Sequence, residues 1–317
     1  MGQQVNVYRK LKLFPGAVIE GSWAGQFDRF GRTYYVNVVT GSATNDGLSW
    51  NSPVNTVGAA VTLAEAWRDT QTANNQYVRC TIVVQGTATD NTAVAVSDCS
   101  YNDFIGLGAC PLGDGTGIAC ISGANAADAW SATATMRGNT WYNLQFDASG
   151  TSYCAFDATN VLRCRFEECS FMGDSAENEA LVAGIRATGA FDGNTVRNCF
   201  IGTNWALPTT GMAFGGSLSN TTIQDCTILA ATYGINISTD GLTVGGVIKD
   251  CQILAATKGI VSSSAQTMLW IVGNYISSAD AISITAGGTT TGEHMCLGNI
   301  VNNAGTIVSG LGETASG

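Results

Sequence analysis

The second half of the chain consists of one short segment that recurs in seven copies. The copies are WYNLQF (141–146), FEECSF (166–171), VRNCFI (196–201), IQDCTI (223–228), IKDCQI (248–253), IVGNYI (271–276) and CLGNIV (296–301), whose fourth positions lie 25, 30, 27, 25, 23 and 25 residues apart. A recurrence of about 20–50 residues is typical of stacked units that bury their apolar faces against one another. Apolar and polar residues alternate within each copy, which predicts strands. A coil of about 25 residues built from short strands and tight turns predicts a parallel β-helix.

Charge is scarce in this chain and unevenly distributed. Charged residues make up 12 % of the sequence, whereas a typical soluble domain has roughly 25 %. Residues 1–33 hold five basic and two acidic residues, and the remainder holds nine basic and 22 acidic ones within a net charge of −10. Nucleic-acid binding requires Lys and Arg to neutralise phosphates, so the acidic body argues against it. No stretch of 18 apolar residues occurs, which predicts no membrane partner.

The chain divides into three regions. Residues 1–33 lack the repeat and are predicted to form a non-repetitive arm. Residues 34–90 contain a strand at 34–38, a Gly- and Asn-rich loop, and a capping helix at about 55–68, whose apolar residues recur at helical spacing after Asn55 or Thr56 as the N-cap. Residues 91–317 are predicted to form the coils, three irregular ones followed by seven regular ones.

One part of the sequence resembles a known family. YYVNVVTGSATNDGLSWNSPVNTVGAAVTLA (34–64), followed by TIVVQGTAT (81–89), is similar to the N-terminal segment of pectate-lyase-like right-handed β-helix proteins, in which a short helix closes the open end of the rod. The resemblance implies an all-β fold, a single-stranded right-handed parallel β-helix of about ten coils with an N-terminal capping α-helix. Members of this family include polysaccharide lyases, bacterial surface proteins and phage virion proteins.

The fourth position of the repeat is expected to form a ladder along the core. Its members are Cys169, Cys199, Cys226, Cys251, Asn274 and Asn299. A metal site would need the cysteines to converge on one point, whereas the repeat places one in each coil. We therefore interpret the thiols as small apolar fillers, and the two Asn residues as a short Asn ladder. No metal or other cofactor is predicted.

Candidate catalytic residues are few. Glycoside hydrolysis needs two carboxylates on opposite sides of the sugar, and lyase chemistry needs a base with charge stabilisation. The acidic residues that lie close together are Asp174, Glu177 and Glu179, within the insertion MGDSAENEALVAG (172–184). A solvated loop explains them better than a catalytic groove, so no catalytic residue is assigned. These three are the fallback if the chain is an enzyme.

The arm has the composition of a docking segment. It interleaves cations with large apolar side chains, and the predicted attachment residues are Arg9, Lys10, Lys12, Phe14, Trp23, Phe27 and Phe30. No signal peptide is predicted, because the N-terminus lacks a continuous apolar run. The leading hypothesis is a phage virion structural protein: a capsid decoration, head-fibre or tail-spike-like subunit.

This hypothesis carries expectations about location and partners. The protein would be made in the host cytoplasm and carried on the virion. It would bind other virion proteins through the arm, form a homotrimer, and possess a surface on which a host glycan could bind. The first alternative is a polysaccharide depolymerase, a tailspike-type glycosidase or lyase. The second is a bacterial surface adhesin, which the missing secretion signal disfavours.

Overall fold

The fold is a parallel β-solenoid in which three sheets surround one core. The computed structural model describes residues 30–71, 78–97, 99–109, 117–124, 127–148, 150, 152–173, 181–203, 207–238, 243–262, 266–284, 295–302 and 306–309. Within these residues, sheets A, B and C contain ten, eight and ten strands, and every pairing of neighbouring strands is parallel. This confirms the all-β parallel solenoid that the repeat predicted.

Sheet A is formed, from one end to the other, by β1 (Phe30–Val36), β2 (Arg79–Gln85), β4 (Asn102–Leu107), β7 (Thr140–Tyr142), β10 (Arg165–Glu167), β14 (Thr195–Arg197), β17 (Thr222–Gln224), β20 (Thr243–Lys249), β23 (Gln266–Val272) and β26 (Met295–Leu297). Sheet B contains β5 (Cys120–Ser122), β8 (Gln145–Ala148), β11 (Ser170–Gly173), β15 (Phe200–Ile201), β18 (Thr227–Ala230), β21 (Gln252–Ala255), β24 (Tyr275–Ser277) and β27 (Ile300–Asn302).

Sheet C contains β3 (Val94–Val96), β6 (Trp130–Arg137), β9 (Cys154–Leu162), β12 (Ala183–Ala187), β16 (Thr210–Phe214), β19 (Tyr233–Ile237), β22 (Lys258–Ser262), β25 (Asp280–Ile284) and β28 (Thr306–Ser309), with a short β13 (Phe191–Asp192) that pairs with β9. Each coil runs from sheet A through sheet B to sheet C. Eight coils of the described chain have a strand in all three sheets, rather than the expected ten, and β1 to β3 form less complete coils before them. Ten strands at about 4.8 Å make sheet A about 43 Å long.

A helix and a loop cover the N-terminal end of the rod. Helix α1 (Val57–Asp69) begins after Thr56, whose hydroxyl accepts a hydrogen bond from the Ala59 N–H at 3.1 Å, so the predicted capping helix is confirmed. The outer edge of β1 is paired with the loop that follows it, because Tyr35 N–H donates to Gly47 O at 2.7 Å and Val54 N–H donates to Tyr35 O at 3.0 Å. An open strand edge would otherwise be exposed at this end.

The boundary of the arm differs from the sequence-based expectation. Phe30, which the sequence pattern places in the arm, is the first residue of β1 and is paired with Arg79 of β2. Thr33 lies inside the same strand, opposite Thr81. Sequence patterning missed these residues because Gly31, Arg32 and Thr33 do not alternate as a half-buried strand does. The rod therefore begins before residue 33, and the other six predicted attachment residues lie outside the described part of the chain.

The core changes from aromatic to aliphatic along the rod. In the earlier coils Phe104, Trp141 and Phe166 are stacked in sheet A, with ring centroids 5.5 and 4.6 Å apart and interplanar angles of 5° and 6°. In later coils the same inward row of sheet A carries buried Ile223, Ile248 and Ile271. Each inward side chain thus packs on its equivalent in the next coil. This explains why equivalent positions of neighbouring coils carry side chains of similar shape.

Candidate functional site

The six ladder residues lie at the corner between sheets A and B. The residue before each of them has positive φ, which turns the chain from one sheet into the next: Glu168, Asn198, Asp225, Asp250, Gly273 and Gly298. Asn274 is fully buried; its Nδ2 donates to Ile248 O at 3.0 Å, and its Oδ1 accepts from the Cys251 N–H at 3.0 Å. Asn274 Nδ2 also donates to Asn299 Oδ1 at 2.9 Å. The amides thus connect three successive coils.

The thiols occupy the same position and reach the preceding coil through longer contacts, since Cys251 Sγ lies 3.8 Å from Ile223 O and Cys226 Sγ lies 3.7 Å from Val196 O. Their shorter hydrogen bonds stay within their own coil. Cys251 Sγ donates to Lys249 O at 3.2 Å, and Cys226 Sγ donates to Gln224 O at 3.2 Å. They therefore do more than fill space, which is the role that the sequence suggested. Burial raises the pKa of Cys199 well above the usual thiol value, so this sulfur stays protonated at neutral pH and is unsuited to nucleophilic attack. The ladder cysteines Cys169, Cys199, Cys226 and Cys251 are free thiols.

A second polar ladder, which sequence reasoning missed, lies at the corner between sheets C and A. Asn139 Nδ2 donates to Cys99 O at 2.6 Å, and its Oδ1 accepts from the Asn102 N–H at 2.9 Å. Asn194 repeats the arrangement with Val161 O at 2.8 Å and the Cys164 N–H at 2.7 Å. The available sequence signal was limited to Gly138, Gly193 and Asn220, residue types that favour the positive φ found before three of the ladder positions. Tyr101 and Arg163 also have positive φ, which their residue types do not predict. Irregular spacing in residues 99–194 obscured this signal.

Two carboxylates, the buried Asp90 and the partly buried Asp128, have the raised pKa that often marks an active site, but each already accepts a hydrogen bond from a backbone N–H. Burial raises the pKa of Asp90, whose Oδ2 accepts from the Val57 N–H at 2.7 Å at the start of α1. Burial also raises the pKa of Asp128, whose Oδ1 accepts from the Cys154 N–H at 2.6 Å. Asp90 attaches the capping helix to the rod, and Asp128 links two coils. A structural role therefore accounts for both carboxylates, and neither raised pKa indicates an active site.

Other acidic side chains pair with arginine across neighbouring strands. Arg186 Nε and Nη2 each donate to the Asp157 carboxylate at 2.7 Å, and this bond raises the pKa of the guanidinium. Arg79 Nε donates to Asp103 Oδ2 at 2.6 Å in the same bidentate manner. These pairs connect consecutive coils on the outer face.

Two surface grooves are candidates for ligand binding. The first, of about 770 Å³, lies near the N-terminal end and is lined by Asn37, Trp50, Gln85, Leu107 and neighbouring small residues. Its amides are already engaged, since Asn37 Nδ2 donates to Gln85 Oε1 at 2.7 Å and Asn37 Oδ1 accepts from the Val39 N–H at 3.0 Å. The Trp50 ring is 42 % exposed, which leaves an apolar platform.

The second groove, of about 340 Å³, crosses the outer face of sheet C. Arg186, Ala213 and Asn236 lie side by side on β12, β16 and β19, and the groove exists because Ala213 is small between two longer side chains. Neither groove has Asp or Glu among its described lining residues. Both can donate hydrogen bonds and offer apolar contact, but neither shows the opposed carboxylates that glycoside hydrolysis needs.

The fallback catalytic residues lie in one connection of the rod. Asp174, Glu177 and Glu179 fall between Gly173, the end of β11, and Ala183, the start of β12, and are outside the described residues. Within the described ranges, no three His, Cys, Asp or Glu side chains are arranged to hold a metal ion. The helix found in those ranges, α1, has 13 residues and is too short to cross a membrane.

Comparison with solved structures finds chains of similar course. The crystal structure of a GH136 lacto-N-biosidase from Eubacterium ramulus aligns with a TM-score of 0.40 and 9 % sequence identity, covering 87 % of this chain and 68 % of that one. No curated protein matches the sequence.

A family model agrees with the observed architecture. The model of the right-handed β-helix region matches residues 120–303, which is more than half of the chain. The matched range begins at β5, the first strand of sheet B, and ends after β27, the last. It therefore covers all eight complete coils except the sheet A strand that opens the first and the sheet C strand that closes the last. The chain belongs to the right-handed β-helix family.

Proposed function

We propose that this protein is a structural rod of a phage virion, a capsid decoration, head-fibre or tail-spike-like subunit attached through residues 1–29. The observation that carries the proposal is how the acidic side chains are used. Asp90 holds the capping helix on the rod, Asp128, Asp103 and Asp157 hold coils together, and the described grooves contain no carboxylate. Such an arrangement favours a rigid scaffold over a hydrolase.

The rod is self-contained from Phe30 onward, which supports a separate role for the preceding residues. The core, the helix α1 and the covered edge of β1 all lie within residues 30–309. Residues 1–29 contribute Arg9, Lys10 and Lys12, and these cations would orient the arm on an acidic virion surface while Phe14 and Trp23 add buried area.

Attachment is tested by removing the arm at the boundary that the structure gives. A chain that starts at Phe30 should keep the circular dichroism spectrum and melting temperature of the full chain but fail to join particles, as judged by immunogold labelling of purified virions. The matched variant Arg9→Glu/Lys10→Glu/Lys12→Glu retains the arm and should also lose occupancy. Wild-type occupancy of the truncated chain would place the anchor on the coils. Absence of full-length protein from all particles would refute the virion role.

The second candidate function is a polysaccharide depolymerase. The connection that carries Asp174, Glu177 and Glu179 leads into β12, and β12 lines the second groove through Arg186. Incubation with capsular and outer polysaccharides should release neither reducing ends nor unsaturated sugars if the rod is structural. Turnover that is lost in Glu177→Gln or Glu179→Gln, but retained in the neighbouring Asn178→Ala, would support the enzyme instead.

A further inference from the structure

The groove of about 770 Å³ near the N-terminal end of the rod, which we call the Trp50 groove, has two apolar walls. Trp50 forms one wall; it is 42 % exposed and packs on Tyr35 of β1, with ring centroids 4.6 Å apart. Leu107, the last residue of β4, forms the other wall and is 37 % exposed. None of the described residues that line this groove is charged. A ligand must therefore be recognised by apolar contact and by hydrogen bonds between neutral groups.

An amide pair in the same groove has a fixed orientation. Asn37 Oδ1 accepts from the N–H groups of Val39 and Thr40 at 3.0 and 3.1 Å, so the oxygen of this side chain faces the loop that follows β1. Asn37 Nδ2 therefore faces Gln85 and donates to Gln85 Oε1 at 2.7 Å. This bond uses the oxygen of Gln85, and no described residue accepts a hydrogen bond from its Nε2. Gln85 thus offers hydrogen-bond donors to a ligand.

The backbone around the Trp50 groove has no edge to which a ligand strand could be added. β1 pairs with β2 on one side and with the loop 47–54 on the other, and β2 and β4 are each paired on both sides. An extended peptide that needs strand pairing therefore finds no partner. A phosphorylated or carboxylated ligand finds no cation among the described lining residues either. The ligand must instead fit between the two walls and bring its own hydrogen-bond acceptors.

A polyproline II segment meets these conditions. Its backbone makes no internal hydrogen bonds, so its carbonyls are free to accept, and Pro has no N–H that needs an acceptor. One turn of three residues rises about 9.3 Å, while β1 and β4 are two strand spacings, about 9.6 Å, apart. Pro rings one turn apart can therefore contact Trp50 and Leu107 while a carbonyl between them accepts from Gln85 Nε2. Aromatic-lined grooves recognise proline-rich segments in this way.

We propose that the Trp50 groove binds a proline-rich, polyproline II segment of another protein. This chain is not the source of the segment, because its four Pro residues, Pro15, Pro53, Pro111 and Pro208, are isolated from one another in the sequence. The groove gives the rod a binding site of its own, separate from the arm. The inference does not depend on whether the rod belongs to a virion.

Fluorescence polarisation of labelled decaproline, titrated with the full-length chain, tests the proposal. The peptide should bind saturably. Gln85→Glu keeps an oxygen for Asn37 Nδ2 but loses both donors of the amide, so it should weaken binding about tenfold. Trp50→Ala removes one wall and should weaken binding about 30-fold. Trp270→Ala is the matched control, because Trp270 is also 42 % exposed but lies near the other end of the rod; its affinity should equal that of the unsubstituted chain.

Two competitors distinguish a proline-rich ligand from other neutral ligands. A decapeptide of alternating Gly and Ser has the same length and charge as decaproline and should not displace it, and neither should the neutral oligosaccharide maltohexaose. Displacement by maltohexaose would assign the groove to glycans and overturn the proposal, and displacement by the Gly-Ser peptide would show that proline is not recognised. No binding of decaproline at about 1 mM protein, or binding that Trp50→Ala and Gln85→Glu both leave unchanged, would also overturn it.

Discussion

Replacing Asn274 by Ala removes the side chain that joins three coils, and its effect on stability can be worked out from the contacts. The substitution deletes the acceptor of the Cys251 N–H, 3.0 Å away, and the donor to Ile248 O, also 3.0 Å away. Both backbone groups then remain buried, because water has no access to a position that is 0 % exposed. Asn299 keeps its own bond to the Asn274 backbone N–H at 3.0 Å.

The expected loss of stability follows from the Cys251 N–H and the Ile248 carbonyl, which are left without a partner. A buried donor or acceptor left without a partner costs about 1–3 kcal/mol, so Asn274→Ala should lower the free energy of unfolding by about 2–6 kcal/mol. Asn274→Cys should cost about 1–2 kcal/mol, because the thiols of Cys226 and Cys251 show that sulfur at this ladder position donates to a backbone carbonyl. Asn302→Ala, at an exposed position, should change stability by at most about 0.5 kcal/mol.

Urea unfolding of the three variants, followed by circular dichroism, measures these differences. The order of stability should be Asn302→Ala, then Asn274→Cys, then Asn274→Ala. If Asn274→Cys were as damaging as Asn274→Ala, the equivalence of thiol and amide in the ladder would be wrong. If Asn274→Ala cost less than about 0.5 kcal/mol, the buried hydrogen bonds would not stabilise the stack.

Further predictions concern packing and pH. Gly234→Ala should lower the free energy of unfolding by about 1–3 kcal/mol in the same urea assay, because the new Cβ would lie 2.3 Å from Ile253 Cγ2. Gly58→Ala, which meets nothing within 4 Å in α1, should instead raise it by about 0.5–1 kcal/mol, and equal effects would contradict this. Burial raises the pKa of Asp90 above 3.8, so the folded state holds its proton longer than the unfolded chain, and stability falls as pH rises through the raised pKa. Asp90→Asn should remove that part of the fall, so the deficit in unfolding free energy of this variant relative to the natural chain should shrink as pH rises from 3.8 through the raised pKa. A pH-independent deficit would show that folding does not raise the pKa of this carboxyl.

The sequence by itself determined the fold class and much of the core. The period of about 25 residues and the alternation within each segment predicted parallel strands, because only stacked coils bury the same row of side chains repeatedly. The spacing from Val57 to Trp67 also predicted the capping helix. The stacked aromatic row was available too, since Trp141 and Phe166 occupy the same repeat position. Periodicity carries this information because each coil packs on an equivalent neighbour.

Tertiary structure decided how individual side chains are used. The sequence could not show that Asp90 accepts the first N–H of α1, since 33 residues separate Asp90 from Val57. Nor could it show that Asn139 and Asn194 form a second ladder, because the connections between their coils vary in length. Phe30 was placed in the arm since pairing with Arg79 is a long-range contact. Outward residues have no periodic constraint, so the sequence could not show that the exposed side chains of Trp270 and Ile300 lie on two adjoining sheets in the last two coils.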